Sequence, residues 1–142
     1  MCAGQLKQAA RYPKKVARVT KNNTVLKRQA AIYLALICTL RGKTAKGRQL
    51  YKWVYQASLL GNDLVTLCLA LLGLVRSLMA TNELNEAQEV LNVLEQFPWK
   101  SLNRSDRILF RALQVCCPPS PAHGGRCSRL RTFRSYRRLT FI

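Results

Sequence analysis

Cys116, Cys117, His123 and Cys127 stand within twelve positions of one another and are the side chains whose types suit a metal. Three thiolates and an imidazole close a tetrahedral zinc site when their spacing lets them converge. Here two of the cysteines are adjacent and no Cys-x-x-Cys knuckle is present, so neither a metal nor a cofactor is expected. Cys38 and Cys68 lie in apolar runs, where a free thiol behaves as a small hydrophobe. No apolar leader precedes Lys7, so a reducing compartment is expected and secretion is not.

Acid–base chemistry has few candidates. His123 is the sole imidazole of 142 residues and sits in a Pro/Gly segment. Glu83, Glu86 and Glu89 recur at three-residue steps, as on a solvated helix face. Gly124 and Gly125 are isolated and make no phosphate-cradling loop. No catalytic residue, enzymatic activity or small-molecule substrate is expected.

The charge is the dominant chemical feature. There are 24 Lys and Arg against 6 Asp and Glu, a net charge of +18. From Met1 to Asn62 there are 13 bases and no acid. All six acids fall between Asp63 and Asp106, with only Arg76, Lys100 and Arg104 among them. From Arg107 to Ile142 there are eight Arg and no acid. A merely solvated surface intersperses signs, whereas segregation of this kind calls for a partner with the counter-charge. Lys7, Arg11, Lys14, Lys15, Arg18, Lys27 and Arg28 are the candidate phosphate contacts at the first end. Arg131, Arg134, Arg137 and Arg138 are those at the second, interleaved with Phe133 and Tyr136. Arginine grips phosphate with a planar fork, and aromatic rings stack on unpaired bases. RNA is therefore the expected nucleic acid, ahead of DNA.

The elements that must position these residues read as helices. Residues 1–23, polar and interrupted by Pro13, read as an extended or frayed basic arm. Thr24 is expected to cap a helix over 25–41, with Val25, Leu26, Gln29, Ala30, Tyr33, Leu34, Ile37 and Leu40 on one face and Gly42 ending it. A second helix is expected over 45–60, with Leu50, Trp53, Val54, Ala57 and Leu60 inward and a break at Gly61 and Asn62. The third, 63–80, is apolar nearly all round. Its uncharged run from Leu64 to Val75 is shorter than the roughly 20 residues that span a bilayer. It therefore reads as a core helix. The fourth, 83–97, is expected to follow an Asn82 cap, present Leu84, Ala87, Val90, Leu91, Leu94 and Phe97, and stop at Pro98. The fifth, 104–116, would turn Ile108, Leu109, Ala112, Leu113 and Cys116 inward. Pro118, Pro119 and Pro121 open an Arg- and aromatic-rich disordered tail over 118–142.

The expected fold is thus all-α, a small bundle or stack of helical hairpins over 24–117. A shift of 40 residues superposes Gly47, Tyr51 and Val54 on Ala87, Leu91 and Leu94, and Ile32, Leu34 and Leu40 on Leu72, Leu74 and Ala80. The function that follows is a non-enzymatic binding protein whose basic ends hold RNA or another polyanion. Lys14 and Lys15, with Lys27 and Arg28 downstream, resemble a two-part nuclear import signal, so a nuclear or nucleolar location is expected. The acid-free start fits a mitochondrial leader less well, having Pro13 and little Ser. Two alternatives stand beside this reading. One is a membrane-associated accessory protein, of the kind an overlapping viral frame produces, that inserts residues 64–75 and holds an anionic membrane surface by its ends. The other is a helical-repeat scaffold with a protein partner on the helical domain.

Overall fold

The computed structural model describes residues 3–19 and 23–117. It is all-α: six α-helices, a single 3-10 turn, and no strand among the described residues. The helices are α1 (Ala3–Val19), α2 (Thr24–Leu40), α3 (Thr44–Leu60), α4 (Leu64–Ala80), α5 (Leu84–Leu94) and α6 (Arg104–Cys116), with the 3-10 turn at Trp99–Ser101 before α6. From α1 to α5 each helix packs on the next, and α2 also touches α4.

A repeated turn sets this arrangement. Helices α2, α3 and α4 each have 17 residues. Each ends with a left-handed residue, at Gly42 (φ 77°), Asn62 (φ 53°) and Asn82 (φ 61°), spaced by 20. At each turn the amide two residues past the cap reaches back over five: Lys43 N to Cys38 O, Asp63 N to Ser58 O and Glu83 N to Leu78 O, all at 2.9 Å. This closes otherwise orphaned carbonyls at the helix end. Gly and Asn occupy the left-handed position because they reach it at least steric cost. The identical turn repeated after equal helices folds the chain back on itself three times.

The 40-residue shift is visible in burial as well. Gly47 and Ala87, Tyr51 and Leu91, and Val54 and Leu94 are buried at corresponding places. So are Ala31 with Leu71 and Ala35 with Val75. Asn23, Asp63 and Asn103 fall at the same step, and each side chain accepts an amide three residues on: Leu26 N at 3.1 Å, Thr66 N at 3.2 Å and Asp106 N at 2.8 Å. The first cap is therefore Asn23, not Thr24.

Helix α4 is the centre of the core. Ten of its residues are buried, Leu67, Cys68, Val75 and Ser77 completely. No described helix is long and apolar enough to cross a membrane.

Other expectations are corrected. Residues 3–19 form a helix, not an extended arm. Pro13 lies inside it and is buried with Leu6 and Ala10, at steps of four and three. Helix α5 ends at Leu94, before Pro98, and Asn82 belongs to the preceding turn, not to the start of α5. Several faces are rotated from the expected ones. In α3, Tyr51, Tyr55 and Ser58 point inward, while Trp53 is half out and Leu60 is 90% exposed. In α6, Phe110 and Leu113 are inside, and Ile108, Ala112 and Cys116 are outside. In α2, Ala30, Ala31 and Ala35 are buried, while Val25, Leu26, Tyr33 and Leu40 are exposed.

Candidate functional site

Helix α1 collects the first group of cations. Lys7, Arg11, Lys14 and Arg18 follow one another at steps of four, three and four, and Lys15 adjoins them. With 3.6 residues per turn these positions fall on one face. All five are exposed, while Leu6, Ala10 and Pro13 turn to the protein. The result is a single-signed stripe about 16 Å long, from the 1.5 Å rise per residue. No acid interrupts it, because the first acid in the chain is Asp63.

The other candidates of the first end are placed differently. Lys27 is half-buried. Arg28 is 6% exposed, and its Nη2 donates to Asp63 Oδ2 at 3.2 Å. Its guanidinium is thus directed into the fold and already holds an anion. Asp63 is drawn up by burial, but hydrogen bonds from Thr66 and Arg28 outweigh that and hold its carboxyl below the ordinary range. Arg48, which sequence reasoning did not single out, is engaged in the same manner. It forms a fork on Glu83, with Nη2 to Oε1 at 2.7 Å and Nη1 to Oε2 at 3.2 Å, and it also reaches Ser77 and Thr81. The Arg48 and Thr81 hydrogen bonds lower the Glu83 pKa. Neither Arg28 nor Arg48 is placed to offer its charge to a ligand.

A second exposed basic group, also missed, lies on α6. Arg104, Arg107 and Arg111 are exposed at steps of three and four. Arg111 lies over the Trp99 ring at 4.7 Å and Lys100 at 6.0 Å, with the Phe110 ring tilted 45° against the same ring at a centroid distance of 4.7 Å. The spacing of these arginines was the readable signal. Ile108 and Ala112, expected inward between them, are in fact exposed beside them.

Glu86, Glu89 and Glu95, of α5 and the turn after it, are exposed, so acidic surface is present there. Arg131, Phe133, Arg134, Tyr136, Arg137 and Arg138 lie outside the described residues, as do His123 and Cys127. Of the potential metal ligands near the C-terminus, Cys116 is exposed and Cys117 is buried. Comparison with known proteins finds no matching family model, curated protein or solved structure.

Proposed function

We propose that this chain is a non-enzymatic helical binding module that holds single-stranded RNA on the basic face of α1 and on its Arg-rich C-terminal end. The observation that supports this reading is the α1 stripe: five exposed cations on one face of a helix, in a stretch that carries no acid. Such a face repels itself unless a polyanion neutralises it. The C-terminal arginines and the rings of Phe133 and Tyr136 add forked phosphate contacts and stacking platforms. Arg28, buried and paired with Asp63, does not contribute to this face. This also narrows the nuclear-import reading: Lys14 and Lys15 remain an exposed cluster, and Lys27 stands alone downstream. A nuclear or nucleolar location is part of the same proposal.

The test is the salt dependence of binding to single-stranded RNA. Each phosphate contact on a single strand contributes about −0.7 to the log–log slope. Replacing Lys7, Arg11, Lys14 and Arg18 together by Gln should flatten the slope by roughly 3. An unchanged slope would remove α1 from the interface and this reading with it.

A further inference from the structure

Six of the large apolar side chains that remain exposed gather at two places: Val19 at the end of α1 with Val25 and Leu26 at the start of α2, and Leu59, Leu60 and Val65 around the α3–α4 turn. Leu60 is 90% exposed and Val19 75%. Val25 and Val65, one repeat of forty apart, are 42% and 47% exposed at the starts of α2 and α4. The start of α2 and the start of α4 share one end of the stack. Arg28, in the first turns of α2, bonds Asp63 at the start of α4. A Cβ placed on Gly61 would lie 2.9 Å from Arg28 Nη1. The opposite end presents Arg41, Lys43, Thr81 and Asn82 to solvent beside Leu40 and Leu84.

The apolar end is also positive. Arg18, in the last turn of α1, and Lys27, in the first turn of α2, border it, and the α1 stripe runs into it through Lys14 and Lys15. Its carboxylate, Asp63, is tied to Arg28. Aliphatic residues give nothing to a base stack, which rewards aromatic faces. They suit the headgroup–acyl boundary of a bilayer, and bordering cations suit acidic headgroups.

We propose that this end of the stack docks on the surface of an anionic bilayer, with Leu59 and Leu60 entering the boundary and Arg18 and Lys27 against acidic headgroups. Docking is peripheral: α4 stays in the core, and no helix has to insert. Arg18 is shared with the α1 face proposed for RNA, so the two readings are separated at Leu59 and Leu60, which belong to the rim alone.

The experiment sediments the full-length protein with vesicles of phosphatidylcholine and phosphatidylserine, and with phosphatidylcholine alone. Binding to the anionic vesicles and not to the neutral ones is expected. Leu59→Ser combined with Leu60→Ser should weaken that binding by at least about tenfold. Helical circular dichroism and RNA affinity should not change. Leu60→Trp should add, on anionic vesicles only, a blue shift beyond that of the wild-type chain, whose own Trp53 and Trp99 set the baseline. Failure of the wild-type chain to sediment, equal binding to both vesicles, or undiminished binding of the double Ser variant overturns the proposal. Loss of RNA affinity in that variant also overturns it, by assigning the rim to the nucleic-acid interface. Should the double Ser variant lose its helical signal, Leu60→Trp decides, and emission shifted no further than that of the wild-type chain overturns the proposal.

Discussion

Arg28 reaches from α2 to Asp63 at the start of α4, 35 residues on, and Arg48 reaches from α3 to Glu83 at the start of α5 over the same separation. The two arginines are one 20-residue step apart, and so are the two acids. Each acid closes the turn after one helix, precedes the next, and receives a guanidinium from the helix before. Each pair therefore fixes how three successive helices sit. One step further the positions are Cys68 and Asn103, and the device stops there.

The two partners of the first pair are unequal. Asp63→Ala removes the cap on Thr66, worth about 1 kcal/mol. It also leaves the Arg28 guanidinium, whose side chain is 8% exposed, without a counter-charge. Removing one partner of a buried pair costs on the order of 3 kcal/mol. Arg28→Met leaves Asp63 unpaired, but that carboxylate is 18% exposed and still accepts from Thr66, and the packing is mostly retained, so it should cost less, about 1–2 kcal/mol. Urea unfolding should place Asp63→Ala well below Arg28→Met. The reverse order would show that the pair does not organise the turn.

Stability should fall at both extremes of pH, for opposite reasons. Asp63 and Glu83 have folded pKa values below the ordinary carboxylate range. Their contribution is present above the unfolded value of about 4 and is lost as pH falls through the folded values. Tyr51 is pushed up to about 12, chiefly by burial. Its contribution is present below the unfolded value of about 10 and is lost as pH rises from there through about 12. Thermal melts should show a plateau between these limbs. Arg48→Met should shrink the acid limb, and Tyr51→Phe the alkaline one. A limb unaffected by its substitution would be due to other groups.

The element types and the turns were largely legible, and so was the α5 stripe of Ala87, Val90, Leu91 and Leu94; the faces of α2, α3 and α6 were not. Gly42 and the Gly61–Asn62 pair marked turns, the bounds of α6 were readable to the residue, and the 40-residue shift is present in the burial of Tyr51 and Leu91. Hydrophobicity misled wherever close helix packing chose otherwise. Trp53 and Leu60 are large and apolar, yet Gly47, Tyr51 and Ser58 face the neighbours in their place. Alanines line α2 for the same reason, as small residues let backbones approach. Pro13 concealed α1, although Leu6, Ala10 and Pro13 already had helical spacing. Among the site residues, the exposed α1 cations were readable from spacing. The engagement of Arg28 was not, because its partner lies 35 residues away.

Tyr51 lies on Gly73 of α4, and a Cβ there would overlap its ring and lie 2.8 Å from Oη. In an isolated helix, Gly→Ala gains about 1 kcal/mol. Here overpacking against a residue 3% exposed costs about 1–3 kcal/mol and should win. Gly73→Ala should therefore lower the melting temperature in the wild-type chain. In a Tyr51→Leu background, with the ring gone, the same change should raise it. A double-mutant cycle by calorimetry reads that reversal of sign. Additive effects would mean that the ring does not rest on the glycine.

Cys68 and Cys116 provide a chemical readout of the core. Cys68 is completely buried in α4, and burial pushes its thiol up to about 11. At pH ~8 only about one such thiol in a thousand is ionised, and the thiolate is the reactive form. Cys116 is exposed at the end of α6. Iodoacetamide followed by peptide mass spectrometry should modify Cys116 in the native protein and leave Cys68 intact. Cys68 should become reactive only as urea approaches the unfolding midpoint, its rate following the unfolded fraction. Adding anionic vesicles should leave Cys68 protected and unchanged, since peripheral docking through Leu59 and Leu60 keeps α4 in the core. Modification of Cys68 at the Cys116 rate in buffer would mean that α4 is not the centre of the fold. Faster modification on vesicles alone would mean that the helix leaves the core when the protein meets a membrane.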